Sequence, residues 1–152
     1  MKYTIEGYSQ AGMLQYGLTA KDVSFIRWFV DWQASDRMKY RDDESGSRFF
    51  WLEHTSVLES LPAVMGLTAE EYNVLFDYLK AREMAKATGD NIKKPESLEK
   101  HYRNLRRYIK SLRDKGILTA IVWKRGENRG SETYIRIDPK VLHTLCEETT
   151  RG

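Results

Sequence analysis

Six cationic side chains recur between residues 100 and 113 at spacings that place them on one flank of a helix. In the same stretch, apolar side chains recur every three or four residues, which is the spacing of a buried helix face. A helix with one apolar face and one cationic face can pack on a domain and still neutralise phosphates. The cations of this predicted helix, residues 97–115, are Lys100, Arg103, Arg106, Arg107, Lys110 and Arg113; the apolar residues are Leu98, Tyr102, Leu105, Ile109 and Leu112.

The charge of the whole chain supports this interpretation. The 152 residues carry a net charge of +3, but residues 93–129 alone carry +8, from twelve Lys or Arg and four Asp or Glu. The rest of the chain therefore carries −5. A contiguous basic segment favours a polyanionic partner. The alternatives are a basic face that contacts only water, a face that binds an acidic protein, and RNA.

A second basic cluster follows the predicted helix. Residues 118–124 and 132–138 are rich in β-branched and aromatic residues, and a Gly- and Asn-rich turn joins them, which predicts a β-hairpin. Its basic tip, residues 124–131, carries Lys124, Arg125 and Arg129, which could contact a DNA backbone or enter the minor groove. Charged hairpin tips also serve solubility, so that alternative stays open.

Five other residues are weaker candidates for nucleic-acid contact. Asn104 lies beside the cationic flank, where an amide could read a base edge, and its alternative is an ordinary exposed amide. Thr55 and Ser56 open a short predicted helix whose N–H groups and hydroxyls suit a phosphate. Trp123 and Tyr134 could stack on single strands, although packing across the hairpin is the alternative.

Capping signals locate the remaining elements. Thr19 and Asp22 predict the start of a helix through residue 32, and its apolar residues cover most of the circumference, as in a central core helix. Thr68 and Glu71 form a second capping box, and the helix that follows runs to about residue 87. Shorter elements are predicted as a helix over 9–16, a hairpin from 37–41 and 48–52, and a last helix beginning at Pro139.

The order of these elements predicts a mainly α fold with small β-hairpins, of the winged helix-turn-helix type. We expect a single domain over residues 1–152, with an N-terminal arm at 1–18. A helical insertion and connector at 68–95 precede the basic helix, and residues 147–152 form a disordered tail. The broad aromatic content permits a homodimer through the terminal helices.

Catalytic and metal-binding signatures are absent from the sequence. The single cysteine, Cys146, allows no internal disulfide and no multi-cysteine zinc site, and with His143 it supplies only two ligands. The acidic run at 42–44 is typical of a solvated turn. We therefore predict no enzyme activity, no metal and no cofactor. No apolar run is long enough for a membrane span, and we expect no membrane partner and a cytoplasmic location.

Four short stretches carry a family resemblance. They are residues 3–10, residues 26–31, Phe50 and Trp51 leading to 58–62, and residues 105–118. These stretches resemble the N-terminal domains of replisome organisers, the replication initiators of phages of low-GC Gram-positive bacteria. The resemblance implies a winged-helix DNA-binding domain, origin binding and contact with replication proteins. The sequence departs from that family in its helix at 68–87, and no domain that recruits a helicase is expected to follow.

We therefore expect a non-enzymatic protein that binds double-stranded DNA in phage or mobile-element replication. The basic helix would lie in the major groove and the hairpin on the adjacent backbone. A winged-helix transcriptional regulator and a protein-interaction adaptor are the alternatives. The expectation requires that the arginines of helix and hairpin form one surface and do not lie against carboxylates.

Overall fold

A computed structural model of the chain describes residues 4–126 and 130–147. The fold is α+β with small antiparallel sheets, as predicted for the fold class. It divides into two units, one formed by the chain up to Leu52 and from Ser111 onward, and one formed by Glu53–Lys110. None of the helices in the described ranges combines the length and apolar composition needed to cross a bilayer.

The first unit contains two antiparallel sheets and four helical elements, counting the end of the basic helix. The elements are β1 (Thr4–Ile5), β2 (Tyr8–Ser9), α1 (Gln10–Gln15), α2 (Ala20–Ala34), β3 (Tyr40–Asp42), β4 (Arg48–Trp51), β5 (Leu118–Lys124), β6 (Ser131–Ile137) and α6 (Pro139–Cys146). The strands β1 and β2 form a short N-terminal hairpin, which the sequence did not predict, and the other four form one sheet of order β3-β4-β6-β5.

The helix α2 forms the core of this unit, as its apolar circumference predicts. Its capping box is present: the Thr19 N–H donates to Asp22 Oδ2 over 2.8 Å, and the Asp22 N–H donates to Thr19 Oγ1 over 3.3 Å. Phe25 and Phe29 are fully buried. The Phe29 ring meets Phe50 of β4 edge-on at 6.5 Å, so one face of the sheet packs on α2.

The two predicted hairpins join into one sheet through β4 and β6. Phe50 pairs with Ile135 and Trp51 pairs with Tyr134, although about 85 residues separate the partners in sequence. Phe50 faces α2, and side chains alternate along a strand. Trp51 and Tyr134 therefore lie on the opposite face of the sheet.

The helix α1 is held against α6 by a close backbone approach. A Cβ on Gly12 would lie 2.8 Å from the carbonyl oxygen of Thr144, a distance that side chains essentially never adopt. Ser9 caps α1 by accepting a hydrogen bond from the Gly12 N–H over 3.2 Å. Glycine at position 12 thus lets the first and last helices of the described chain pack at short range.

The second unit is a set of helices in which the basic helix is one member. It comprises α3 (His54–Ser60), α4 (Ala69–Thr88), a 3₁₀ turn at Glu96–Leu98 and most of α5 (Glu99–Asp114). The capping box of Thr68 and Glu71 is present, and Gly89 ends α4 in the left-handed conformation with φ of 75°. These observations confirm the predicted limits of α4.

Two element boundaries near the basic helix differ from the sequence prediction. The helix α3 begins at His54, so Thr55 and Ser56 lie inside its first turn. The predicted helix over 97–115 starts as a 3₁₀ turn and becomes α-helical at Glu99. The end of α5 is as predicted, because Gly116 has φ of 77° and the Ile117 N–H donates to the Leu112 carbonyl over 3.0 Å.

Candidate nucleic-acid interface

The apolar stripe of α5 is buried, as its spacing predicts. Tyr102, Leu105 and Leu112 are each 2% exposed or less, and Ile109 is 5% exposed. Tyr102 also connects α5 to α3, because its hydroxyl lies 2.9 Å from the Thr55 hydroxyl in a buried hydrogen bond. Burial of this face fixes the rotation of α5 about its axis, and the opposite face is left exposed.

Four cations occupy that exposed face. None of them lies within ion-pair distance of a carboxylate in the part of the chain that the structure describes. The last lies seven positions after the first, which corresponds to about 10 Å along the helix axis. We call this surface the α5 cationic face; it consists of Arg103, Arg106, Arg107 and Lys110.

The two outer cations of the predicted set have acidic partners. Lys100 Nζ lies 3.1 Å from Glu71 Oε2 of α4, and His101 Nε2 lies 2.8 Å from the same oxygen. The Thr68 N–H, followed by His101 and Lys100, lowers the pKa of Glu71 to about 2. Arg113 lies 4.0 Å from Asp114, a long and exposed pair. Lys100 thus joins α5 to α4 and is not a free cation.

The two hydroxyls predicted to contact a phosphate at the start of α3 are both engaged within the protein. Thr55 is 3% exposed, and its hydroxyl is committed to Tyr102. The Ser56 hydroxyl donates to Glu53 Oε1 over 3.3 Å, and Arg82 holds the same carboxylate oxygen at 3.3 Å. The prediction for Thr55 is wrong because its side chain points into the protein. At Ser56, the Glu53 carboxylate lies where the hydroxyl would meet a phosphate. Asn104, in contrast, is exposed.

The hairpin cations are placed differently from those of α5. Lys124 is exposed at the end of β5. Arg125 Nη2 lies 2.7 Å from Glu132 Oε2 of β6, and Lys39 Nζ lies 3.1 Å from both oxygens of this carboxylate. Arg125 is therefore engaged with a carboxylate of its own hairpin. The predicted contact of Arg129 lies outside the described residues.

The aromatic residues of the hairpin also differ from each other. Tyr134 is fully buried. For this residue the structure therefore confirms packing within the sheet, which was the alternative to base stacking. Trp123 is 39% exposed, and the Arg41 guanidinium lies 4.0 Å from the centre of its ring. Trp123 therefore keeps part of its surface exposed, with the Arg41 guanidinium over its ring.

Two residues near the α5 cationic face were not among the predicted contacts. Lys94 Nζ lies 4.5 Å from the centre of the Tyr102 ring. Burial, followed by the positive charges of Arg106 and Lys94, lowers the pKa of His54 to about 4. Lys94 thus extends the positive potential from α5 toward α3. Lys94 lies in the basic segment, residues 93–129, and this was a sequence signal for such a role. The local sequence around it, however, predicted only a polar connector.

The described residues contain no group of three or more His, Cys, Asp or Glu side chains arranged to hold a metal ion. His143 Nε2 lies 3.3 Å from Glu147 Oε1, and Cys146 is exposed. A comparison with protein-family models, curated proteins and solved structures finds no match for this chain.

Proposed function

We propose that this protein binds double-stranded DNA through the α5 cationic face. The observation that carries the proposal is the four exposed cations on one side of α5, which have no carboxylate partner among residues 4–126 and 130–147, opposite a face that is buried through Leu105 and Tyr102. Long cationic side chains held without carboxylate partners favour a ligand that supplies many negative charges. A nucleic-acid backbone is such a ligand.

The dimensions of α5 favour duplex DNA over duplex RNA. An α-helix with its side chains is about 10–12 Å in diameter, and the major groove of B-form DNA is about 12 Å wide, so α5 can lie in it with phosphates on both walls. The major groove of A-form RNA is too deep and narrow for side chains to read. In the proposed arrangement Arg103, Arg106, Arg107 and Lys110 contact phosphates, and the exposed amide of Asn104 faces base edges.

The family resemblance gives this binding a role. Because the resembling stretches include residues 105–118, the end of α5 belongs to the proposed DNA-binding region. We propose that the duplex is a replication origin of a phage or mobile element, that the protein acts in the cytoplasm and that it has no catalytic function. In the β5–β6 hairpin, Lys124 is the exposed cation available to a phosphate, since Arg125 is held by Glu132.

Titration of a labelled DNA hairpin tests the proposal. Replacing Arg103 and Arg107 with alanine is expected to weaken the affinity about thirtyfold, because each lost contact to phosphate costs about 1 kcal/mol. The matched control is Lys86→Ala with Lys140→Ala, which removes the same charge from exposed positions elsewhere. This control is expected to bind within about twofold of the wild type.

The same titration separates the proposal from the adaptor alternative. A protein that uses the α5 cationic face on an acidic protein would have no affinity for the DNA hairpin even at low salt. Equal affinities of the wild type and the Arg103→Ala, Arg107→Ala variant would show that α5 does not contact DNA.

A further inference from the structure

One face of the four-stranded sheet carries aromatic rings and cations together. It is the face opposite α2, which contains Trp51 and Tyr134. Trp123 pairs with Glu132, two residues along β6 from Tyr134, so both belong to this face. We call this surface the aromatic sheet face; it consists of Lys39, Arg41, Trp51, Trp123, Arg125 and Glu132.

The cations of this face lie against its rings. The Arg41 guanidinium is 4.0 Å from the centre of the Trp123 ring and 5.8 Å from that of the buried Tyr134 ring. Lys39 Nζ is 5.6 Å from the centre of the Trp51 ring. Cation–π attraction favours these positions, and it orients the tryptophans before a ligand arrives. Both tryptophans keep exposed surface.

A buried carboxylate holds two of the cations in place. Glu132 is 4% exposed and lies within 3.1 Å of both Lys39 and Arg125, while the Tyr134 hydroxyl donates to it over 3.2 Å. The side chains of Lys39 and Arg125 are nevertheless 51% and 46% exposed. With Arg41, the face therefore carries three cations to one covered carboxylate, and its charge is positive.

We propose that the aromatic sheet face binds single-stranded DNA. Bases stack on Trp51 and Trp123, and the backbone phosphates contact Arg41, while Lys39 and Arg125, which Glu132 holds, add positive potential beside the rings. Exposed rings beside cations are the groups that bind single strands with little sequence preference, and each stacked base contributes about 1–3 kcal/mol. A duplex offers its phosphates but keeps the flat faces of its bases stacked inside, so this ligand differs from the one proposed for α5.

The spacing of the tryptophans suits a single strand. They lie on β4 and β5, the two strands that flank β6, so their backbones are about 10 Å apart across the sheet. That separation exceeds the distance between adjacent stacked bases, which is about 3.4 Å. Each ring therefore receives a different base of one extended strand.

Fluorescence anisotropy of a labelled thymidine oligonucleotide of about 12 nucleotides, in about 50 mM salt, tests the proposal. Replacing Trp123 with valine, which suits a strand but offers no flat surface, is expected to weaken binding about tenfold. Trp32→Leu is the matched control, because Trp32 is 43% exposed but lies on α2. Its affinity is expected to stay within about twofold of the wild type.

Two outcomes would overturn the proposal: no affinity of the wild type for the oligonucleotide, or equal affinities of Trp123→Val and the wild type. Circular dichroism establishes that each variant folds. If Trp123→Val does not fold, Arg41→Gln replaces it, since this change leaves both rings and removes one cation. It is expected to weaken binding about threefold, and an unchanged affinity would again contradict the proposal.

A second comparison separates this proposal from duplex binding. The Arg103→Ala, Arg107→Ala variant is expected to lose affinity for a closed DNA hairpin and to bind the oligonucleotide like the wild type. Trp123→Val is expected to show the opposite pattern. If both folded variants lose both affinities, one surface binds both ligands, and the aromatic sheet face is not a separate site.

Discussion

Replacing Leu105 with alanine is expected to lower the free energy of unfolding by about 3 kcal/mol, measured by urea denaturation. Leu105 is 2% exposed at the centre of the buried stripe of α5, so the shorter side chain leaves a cavity. The change removes no charge. If this variant binds duplex DNA more weakly at temperatures where it is folded, the loss of affinity would therefore come from displacement of the α5 cations.

The neighbouring position supplies the control for this prediction. Asn104 is exposed, and Asn104→Ala is expected to change the free energy of unfolding by less than about 0.5 kcal/mol. The contrast tests the rotation of α5, because a helix turned to bury its cationic flank would leave Leu105 in solvent. A destabilisation below about 1 kcal/mol for Leu105→Ala would mean that this stripe is not the buried face.

Lowering the pH from 6.5 to 4 is expected to destabilise the fold by up to about 3 kcal/mol through His54 alone. Its pKa is about 4 in the folded protein, below the ordinary value of 6.5, because the ring is largely buried and lies near Arg106 and Lys94. The unfolded chain therefore binds a proton at a higher pH than the folded chain. The stabilisation is complete above pH 6.5 and is lost as the pH falls toward 4.

Denaturation across that pH range measures the effect. His54→Gln, which cannot take a proton, is expected to remove most of the pH dependence between 6.5 and 4, whereas His143→Gln at an exposed position leaves it unchanged. The pKa values of the Glu71 and Glu132 carboxyls are lowered from 4.5 to about 2, so their contributions are lost below about pH 4.5, as the pH falls toward 2. A His54→Gln variant with the same pH dependence as the wild type would contradict this assignment.

Local sequence signals predicted the helices well because the groups that define a helix end lie a few residues apart. The capping box at Thr68 and Glu71 and the left-handed glycine at Gly116 are such signals, and both have the predicted geometry. The apolar stripe of α5 is a signal of the same kind. Its spacing alone determined which side of the helix is buried.

Contacts between distant segments could not be predicted in this way. The pairing of β4 with β6 depends on which strand edges meet, and neither strand carries that information alone. The hydrogen bond that buries the Thr55 hydroxyl depends on Tyr102, which is 47 residues away. Lys39, which reaches Glu132 from 93 residues away, gave no local signal either.

Local sequence signals likewise predicted part of the candidate site and missed the rest. The four residues of the α5 cationic face were among the cations identified from spacing, whereas the acidic partner of Lys100 emerges only in the fold. A hairpin spacing does allow Arg125 to meet Glu132 on the adjacent strand, so that pair had a sequence signal of its own. The two ion pairs restrict the proposed duplex contact to the centre of α5.

The salt dependence of duplex affinity tests the role of α5 most directly. If about five phosphates are neutralised, the logarithm of the association constant should fall with the logarithm of salt concentration at a slope of about −4.5. Each successive glutamine at Arg103, Arg106, Arg107 and Lys110 should make the slope less negative by about 0.9, whereas Lys86→Gln should not change it. A slope that stays the same when all four cations are gone would show that the duplex does not bind there.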